Sequence, residues 1–310
     1  MFSAPRAIEA TIFAQLPDAL HRKGAPSEWV AGQPSPHVPH SGLEGPCFDR
    51  EGRFFCVDVP YGRIFSISGS GEFSVFADYE GEPNGLKIDG DGRFIIADYR
   101  NGLVELVPQS GEVKTICHRH RVERFKAIND LTLASNGDVY FTDQGLTGLH
   151  DPTGRVFRLR SDGRLDLLLS NVPSPNGLVL NLDETELYVA ATRGNCIWRV
   201  PLLPDGTVTK VGIFIQMSGG VGPDGLALDN DGNLAVAHVG LGCVWLFSRF
   251  GEALLRINTP TGRKATNIAY GGPEGRTLYI TEQDGGAILT AEMPVAGARP
   301  APQFGRPKEA

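Results

Sequence analysis

Short apolar runs separated by glycine-bearing polar turns fill most of this chain, and they recur in a fixed order. From Glu44 onward, a run such as Leu86-Lys87-Ile88 or Leu226-Ala227-Leu228 leads to a glycine, and a second run such as Phe94-Ile95-Ile96 or Leu234-Ala235-Val236 follows. Two β-rich runs on either side of Asp-Gly or Asn-Gly predict a tight hairpin. A third run comes next, as in Arg63-Ile64-Phe65-Ser66-Ile67 and Cys243-Val244-Trp245-Leu246-Phe247. Most copies add a fourth, as in Phe73-Ser74-Val75-Phe76 and Leu165-Asp166-Leu167-Leu168. A doubly wound α/β fold needs amphipathic stretches of ten or more residues between strands, and this pattern lacks them.

Each first run is headed by one oxygen-bearing residue. These anchors are Glu44, Asn84, Asn129, Asn176, Asp224 and Asn267, spaced 40, 45, 47, 48 and 43 residues apart. Eight residues past the anchor stands a glycine in five copies; the fourth copy has Asp183-Glu184-Thr185 there and reads as one residue longer. Self-similarity at this period, with four short antiparallel strands per unit, predicts an all-β fold: a six-bladed β-propeller. The sixth unit lacks a convincing fourth strand, and residues 8–16 alternate moderately, so an N-terminal strand is expected to close the ring and protect its edge. The chain then divides into an N-terminal extension (1–40), the propeller (41–297) and a polar C-terminal tail (298–310).

Composition narrows the partners. The chain has 310 residues, 41% of them hydrophobic, with 39 Gly and 22 Pro. That supplies ample core and favours turns over helices. A net charge of −7 with no basic block argues against nucleic acid or an anionic membrane as partner. No run reads as a signal peptide or a span. Five scattered cysteines without a CxxC read as reduced, mostly buried thiols, and a cytoplasmic location is expected. The oligomeric expectation is a monomer or small homo-oligomer.

The innermost strand of each blade lines the central channel, so the six anchors should meet at one mouth. In a tight hairpin the residues fourteen positions on, Asp58, Asp98, Asp143, His238 and Thr281, belong to the same mouth one strand further out. Carboxylate and amide oxygens gathered without Lys or Arg at equivalent positions are costly unless a cation joins them. A hard divalent cation fits that donor set. Turn-making is the competing role for Asn and Asp. It fits Asn84 and Asn267 better than Glu44 and Asp224, the two charged anchors. His238, in the same unit as Asp224, is placed to orient it or to contact substrate, or else is a histidine satisfied by hydrogen bonds behind the ring. Asp143 belongs to the outer ring. His37 and His40, just before Glu44, fall near the mouth.

Leu43-Glu44-Gly45-Pro46, Asn129-Asp130, Pro175-Asn176-Gly177-Leu178 and Pro223-Asp224-Gly225-Leu226, in this order and at these spacings, resemble the family of gluconolactonase, senescence marker protein (regucalcin) and luciferin-regenerating enzyme. The resemblance spans about residues 40–292. It implies one catalytic divalent metal, Ca²⁺ ahead of Zn²⁺, Mg²⁺ or Mn²⁺, held by Glu44, Asn176 and Asp224. It makes Asp224 also the base that activates water and gives Asn129 a contact with metal or substrate. Sugar-lactone members carry an Arg two residues before the equivalent of Asn129. Here that residue is Ala127, and Arg193 is the candidate to supply the missing charge. The expected activity is hydrolysis of a small-molecule lactone or ester. The alternatives are phosphotriesterase-like chemistry at the same metal and a non-enzymatic Ca²⁺-binding or ligand-sensing propeller. Asp89-Gly90-Asp91-Gly92 and Asp229-Asn230-Asp231-Gly232 open like EF-hand loops, but the twelfth position and the helices are wrong, so they read as hairpin turns.

Overall fold

The computed structural model describes residues 4–298 apart from 23, 25–26, 35–38 and 109. Six antiparallel sheets follow one another along the chain, at 43–78, 83–117, 128–172, 175–216, 222–258 and 265–292. Their first strands, Leu43–Phe48, Pro83–Ile88, Ile128–Leu133, Pro175–Leu180, Gly222–Leu228 and Ala265–Gly271, each adjoin the next, and the sixth adjoins the first. This is the six-bladed propeller the repeat predicts, with these strands innermost.

Ring closure is more divided than a single strand over 8–16. Thr11–Gln15 pairs antiparallel with Ala287–Glu292 and completes blade six. Arg6–Glu9 pairs parallel with Ala253–Asn258 and adds a fifth strand to blade five. Ala10, buried at the step between them, still donates its N–H to Asn258 O at 2.9 Å. The N-terminus therefore closes blade six and ties it to blade five.

The first hairpin of each blade turns through a left-handed residue. Gly52, Gly92, Gly137, Gly232 and Gly275 hold φ between 67° and 84°. In blade four Glu184 takes a similar conformation at φ 53°. That is costly for a residue with a Cβ, and Glu184 offsets it by accepting the Ser135 backbone N–H and hydroxyl from blade three, both at 2.7 Å. The two EF-hand-like stretches are turns: Asp89 Oδ1 accepts the N–H groups of Asp91 and Arg93, and Asp229 Oδ1 those of Asp231 and Asn233.

Core forms between blades as much as within them. Phe55, Val57 and Ile64 of blade one share a cluster with Leu86, Ile96 and Val104 of blade two. Cys47, Cys56, Cys196 and Cys243 are buried free thiols, and Cys117 is half-buried. Between blades two and three a small ribbon, Arg119–His120 against Glu123–Arg124, gathers cations that the overall negative charge conceals. No helix among the described residues is long and apolar enough to cross a membrane.

Candidate active site

Every innermost strand breaks register at or beside its anchor. A bulge of this kind bends the strand and re-aims a side chain. The result is that Glu44, Asn84, Asn129, Asn176, Asp224 and Asn267, all under 9% exposed, converge at one end of the channel. The glycine after the anchor permits the convergence: a Cβ on Gly85 would lie 2.5 Å from Asp130 Oδ1, and one on Gly177 would overlap the Asp224 carbonyl.

Three buried threonine hydroxyls fix the backbone at Glu44, Asn176 and Asp224. Each comes from the preceding blade. Thr266 donates to Leu43 O at 2.9 Å, Thr142 to Asn176 O at 2.8 Å and Thr192 to Pro223 O at 2.7 Å. The three anchors are thus held in place before any ligand arrives.

Their side chains are under-satisfied. Asn176 lies beside the Asp224 carboxyl and favours its charged form, while Asn176 Oδ1 is buried without a hydrogen-bond partner. Burial pushes the Asp224 carboxyl well above the usual range, with the charges of Glu44 and Asp130 adding to it and Arg193 opposing them. Burial and then Asp130 push Glu44 up to about 8, against the Gly45 N–H, Asn267 and Lys87. Three buried carboxyl groups cannot all ionise together without a counter-charge. Lys87, half-buried in the channel, and Arg193, exposed at the lip, supply part of one.

Asp130 went unassigned in the sequence reading, although Asn129-Asp130 was singled out. The signal was its position: it stands where Gly45, Gly85, Gly177 and Gly225 follow four of the other five anchors. Its carboxylate reaches across the ring to blade six, where Asn267 Nδ2 donates to Glu44 Oε2 at 2.9 Å and lies 3.3 Å from Asp130 Oδ2. Asn267 is fully used, since its Oδ1 accepts the Ile268 N–H at 2.8 Å. Asn129 gives its Nδ2 to Gln144 Oε1 at 3.0 Å, and Gln144 Nε2 donates to Ser174 Oγ at 2.9 Å.

The outer ring is built differently, and the expectation that it lacked paired cations needs correction. Asp58 is bonded by Arg63, and Asp143 by Arg155 with Nε at 2.6 Å, all four residues being buried. Their remaining oxygens accept the N–H of the residue two before the anchor, Gly42 at 2.6 Å and Ala127 at 2.9 Å. Asp98 does the same for Glu82 and also accepts from the Tyr79 hydroxyl. These carboxylates clamp strands and face no open site. His238 is equally occupied: Trp245 Nε1 donates to its Nδ1 at 3.2 Å, and its Nε2 lies 3.0 Å from Gly219 O. Burial lowers its pKa, so the neutral ring persists and offers no nitrogen to Asp224 or a substrate. His40 stacks on His21 with ring centroids 4.1 Å apart, and its Nδ1 lies 3.0 Å from Ser41 Oγ. His37 lies outside the described residues.

The lip is formed by loop 144–151 and the N-terminal helix Glu28–Ala31. Thr147 Oγ1 bonds Gln144 O at 2.6 Å and accepts the Ser174 N–H at 3.2 Å, so the loop is bound to the strand that carries Asn176. Two open clefts of about 560 and 490 Å³ lie elsewhere, around His120, Arg121 and Leu167 beside the outer strand of blade three. Neither includes an anchor. Among the described residues no group of three or more His, Cys, Asp or Glu is arranged to hold a metal. The ring instead offers two carboxylates and an amide oxygen lacking a partner, donors suited to a hard divalent cation.

Known proteins resemble this chain along most of its length. It is 31% identical over 271 residues to the gluconolactonase of Zymomonas mobilis, covering 77% of this chain and 75% of that one. It is 30% identical over 267 residues to lactonase drp35 of Staphylococcus aureus, covering 80% and 81%. The crystal structure of a calcium-binding regucalcin from Agrobacterium tumefaciens shares the fold, with TM-score 0.70, 23% identity and coverage of 84% and 92%. Residues 43–284 match the family described as the SMP-30/gluconolactonase/LRE-like region. With the propeller and the ring in place, that match shows that the chain belongs to the SMP-30/gluconolactonase/LRE-like family.

Proposed function

We propose that the protein is a divalent-metal-dependent lactone hydrolase whose site is the mouth ring of Glu44, Asn176 and Asp224. The observation that carries this reading is Asn176 Oδ1, buried and unpartnered beside two carboxyl groups forced up by burial and mutual repulsion. An oxygen in that position is waiting for a cation. Ca²⁺ suits all-oxygen donors, and the regucalcin neighbour is a calcium-binding protein. When bound, the cation supplies Lewis-acid polarisation of the lactone carbonyl and the positive charge the ring lacks.

The chain's own residues do the rest. Asp224 takes the proton of the attacking water. The water oxygen bonds to the carbonyl carbon, the ring C–O bond breaks, and the proton passes to the departing alkoxide, leaving a hydroxy acid. Asn176, beside Asp224, favours the charged form of its carboxyl. Asn129, steadied by Gln144, turns its free amide oxygen to the substrate. Arg193, exposed and close enough for its charge to act on Asp224, stands at the lip to receive negative charge developing on the carbonyl oxygen. Asn129 and Asn176 position and do not titrate.

The test is a panel of lactones, aryl esters and organophosphates assayed after EDTA treatment and after Ca²⁺, Zn²⁺, Mg²⁺ or Mn²⁺ readdition, with Asp224→Asn alongside. Lactone turnover that needs metal and Asp224 is the expected result. Faster organophosphate turnover at the same residues assigns phosphotriesterase-like chemistry instead. Metal binding without any turnover assigns a ligand-sensing propeller.

A further inference from the structure

Resting on that reading of the mouth, we infer that the preferred lactone carries an apolar arm, and that Leu146 and Leu149 are the specificity-determining residues that receive it. Both leucines sit on the 144–151 loop and are 65% and 72% exposed. Large apolar side chains this exposed are ordinary on a loose loop, but this loop is not loose. Thr147 is buried and bonded on both sides, Gly148 and Asp151 exchange backbone hydrogen bonds at 3.0 and 3.1 Å, and Gln144 is held between Asn129 and Ser174. The fold thus spends rigid, hydrogen-bonded backbone on holding two leucines in water at the lip of the ring.

What surrounds them is consistent with an apolar guest. A Cβ on Gly32, at the end of the N-terminal helix, would fall 2.8 Å from Leu146 Cδ2 and 3.1 Å from the Tyr99 hydroxyl. The helix end therefore stands against Leu146, with the Tyr99 hydroxyl at its edge. On the other side a Cβ on Gly148 would lie 3.1 Å from His150 Nδ1 and 3.5 Å from Arg193 Cγ, so the histidine ring and the arginine's hydrocarbon stem both adjoin the loop. Beneath the loop Ala127 is 2% exposed, and both Gln144 N and Gly145 N donate to its carbonyl. Position 127 carries only a buried methyl group, with no polar atom to grip the hydroxyl groups of a sugar. A polyhydroxylated ring placed here would meet leucine and leave polar groups unpaired. A hydrocarbon arm would bury apolar surface on both partners.

Steady-state kinetics on δ-valerolactone, δ-hexalactone, δ-octalactone and δ-decalactone, with glucono-δ-lactone for comparison, test this. The transfer value for a buried methylene predicts kcat/KM rising about threefold to fourfold per added carbon over the first few carbons, with the change carried by KM. Leu149→Ser and Leu146→Ser should flatten that slope, so that their loss grows with arm length. A flat or falling series, preference for glucono-δ-lactone, or a loss in Leu149→Ser that is equal for all lengths would overturn the inference. Calorimetric binding of δ-lactams carrying the same alkyl arms, which resist hydrolysis, to the metal-loaded wild-type protein separates the two claims. Affinity that climbs with arm length in a protein that hydrolyses no lactone keeps the apolar lip and sinks the hydrolase reading. Turnover with length-independent binding does the reverse.

Discussion

Two rings of polar side chains occupy the same mouth one strand apart, and they have opposite characters. The outer ring is closed: Asp58 and Asp143 are each bonded by a buried arginine and by a backbone N–H, and His238 has both nitrogens engaged. The inner ring is open: Glu44 and Asp224 share a cavity with Asp130, and Asn176 Oδ1 has no partner. Burial is nearly equal in the two, so burial alone does not mark a functional site. What separates them is whether each buried charge has been answered from within the chain. Answered charges hold the blades together, and unanswered ones are where a ligand belongs.

The comparison breaks most visibly at Asp224. Asp224→Ala should cut lactone turnover about 10²–10⁴-fold, the range for loss of a positioned base. Its melting temperature in EDTA should hold or rise, because a repelled buried carboxyl has gone. A collapse of melting temperature would make the inner ring a folding element like the outer one. Asp58→Ala should do the opposite and cost about 3–5 kcal/mol in urea unfolding, because Arg63 is left buried without a carboxylate partner among the described residues. A cost below 1 kcal/mol would mean the clamp is idle.

Glu44 sharpens the contrast through pH. Its carboxyl rises from 4.5 to about 8 on folding. Between those values the native protein holds more protons than the unfolded chain, so metal-free stability must fall as pH rises through that window. Asp130 and Asp224, whose carboxyls burial also raises, add to the effect, and the charges of Lys87 and Arg193 oppose it. Melting in EDTA at pH 5 and pH 8 should show the fall, Ca²⁺ should remove most of it, and Glu44→Gln should lessen it. The smallest effect is expected at His238. His238→Phe strands the Trp245 N–H, while the Gly219 carbonyl keeps the Asn195 amide at 2.8 Å, and should cost about 1–3 kcal/mol, with kcat changed by no more than a few-fold. A loss of kcat as large as that of Asp224→Ala would put the ring nitrogen back in the chemistry.

Much of the architecture could be read from one dimension because a propeller repeats. Each blade restates the same hairpin, and the Gly52 to Gly275 series marks its turn by a conformation that favours glycine. The exception at Glu184 was visible as an irregular length, but the serine contacts that stabilise it belong to a neighbouring blade. Residues 8–16 looked like one strand because period-two alternation does not say which sheet receives it; only the step at Ala10 divides it between two blades.

The sequence by itself determined the fold, the six anchors and the fact that Glu44 and Asp224 are the charged ones, because all of these are carried by local patterns repeated at a near-constant spacing. Only the tertiary structure decided which polar groups are answered. Arg63 and Arg155 lie five and twelve residues after the carboxylates they pair with, at no common offset. Asp130 meets Asn267 across 137 residues of chain, and the threonine latches run from blade to blade. Closing the ring brings those groups together, and electrostatics in a buried cavity depends on distances through space that no spacing along the chain encodes.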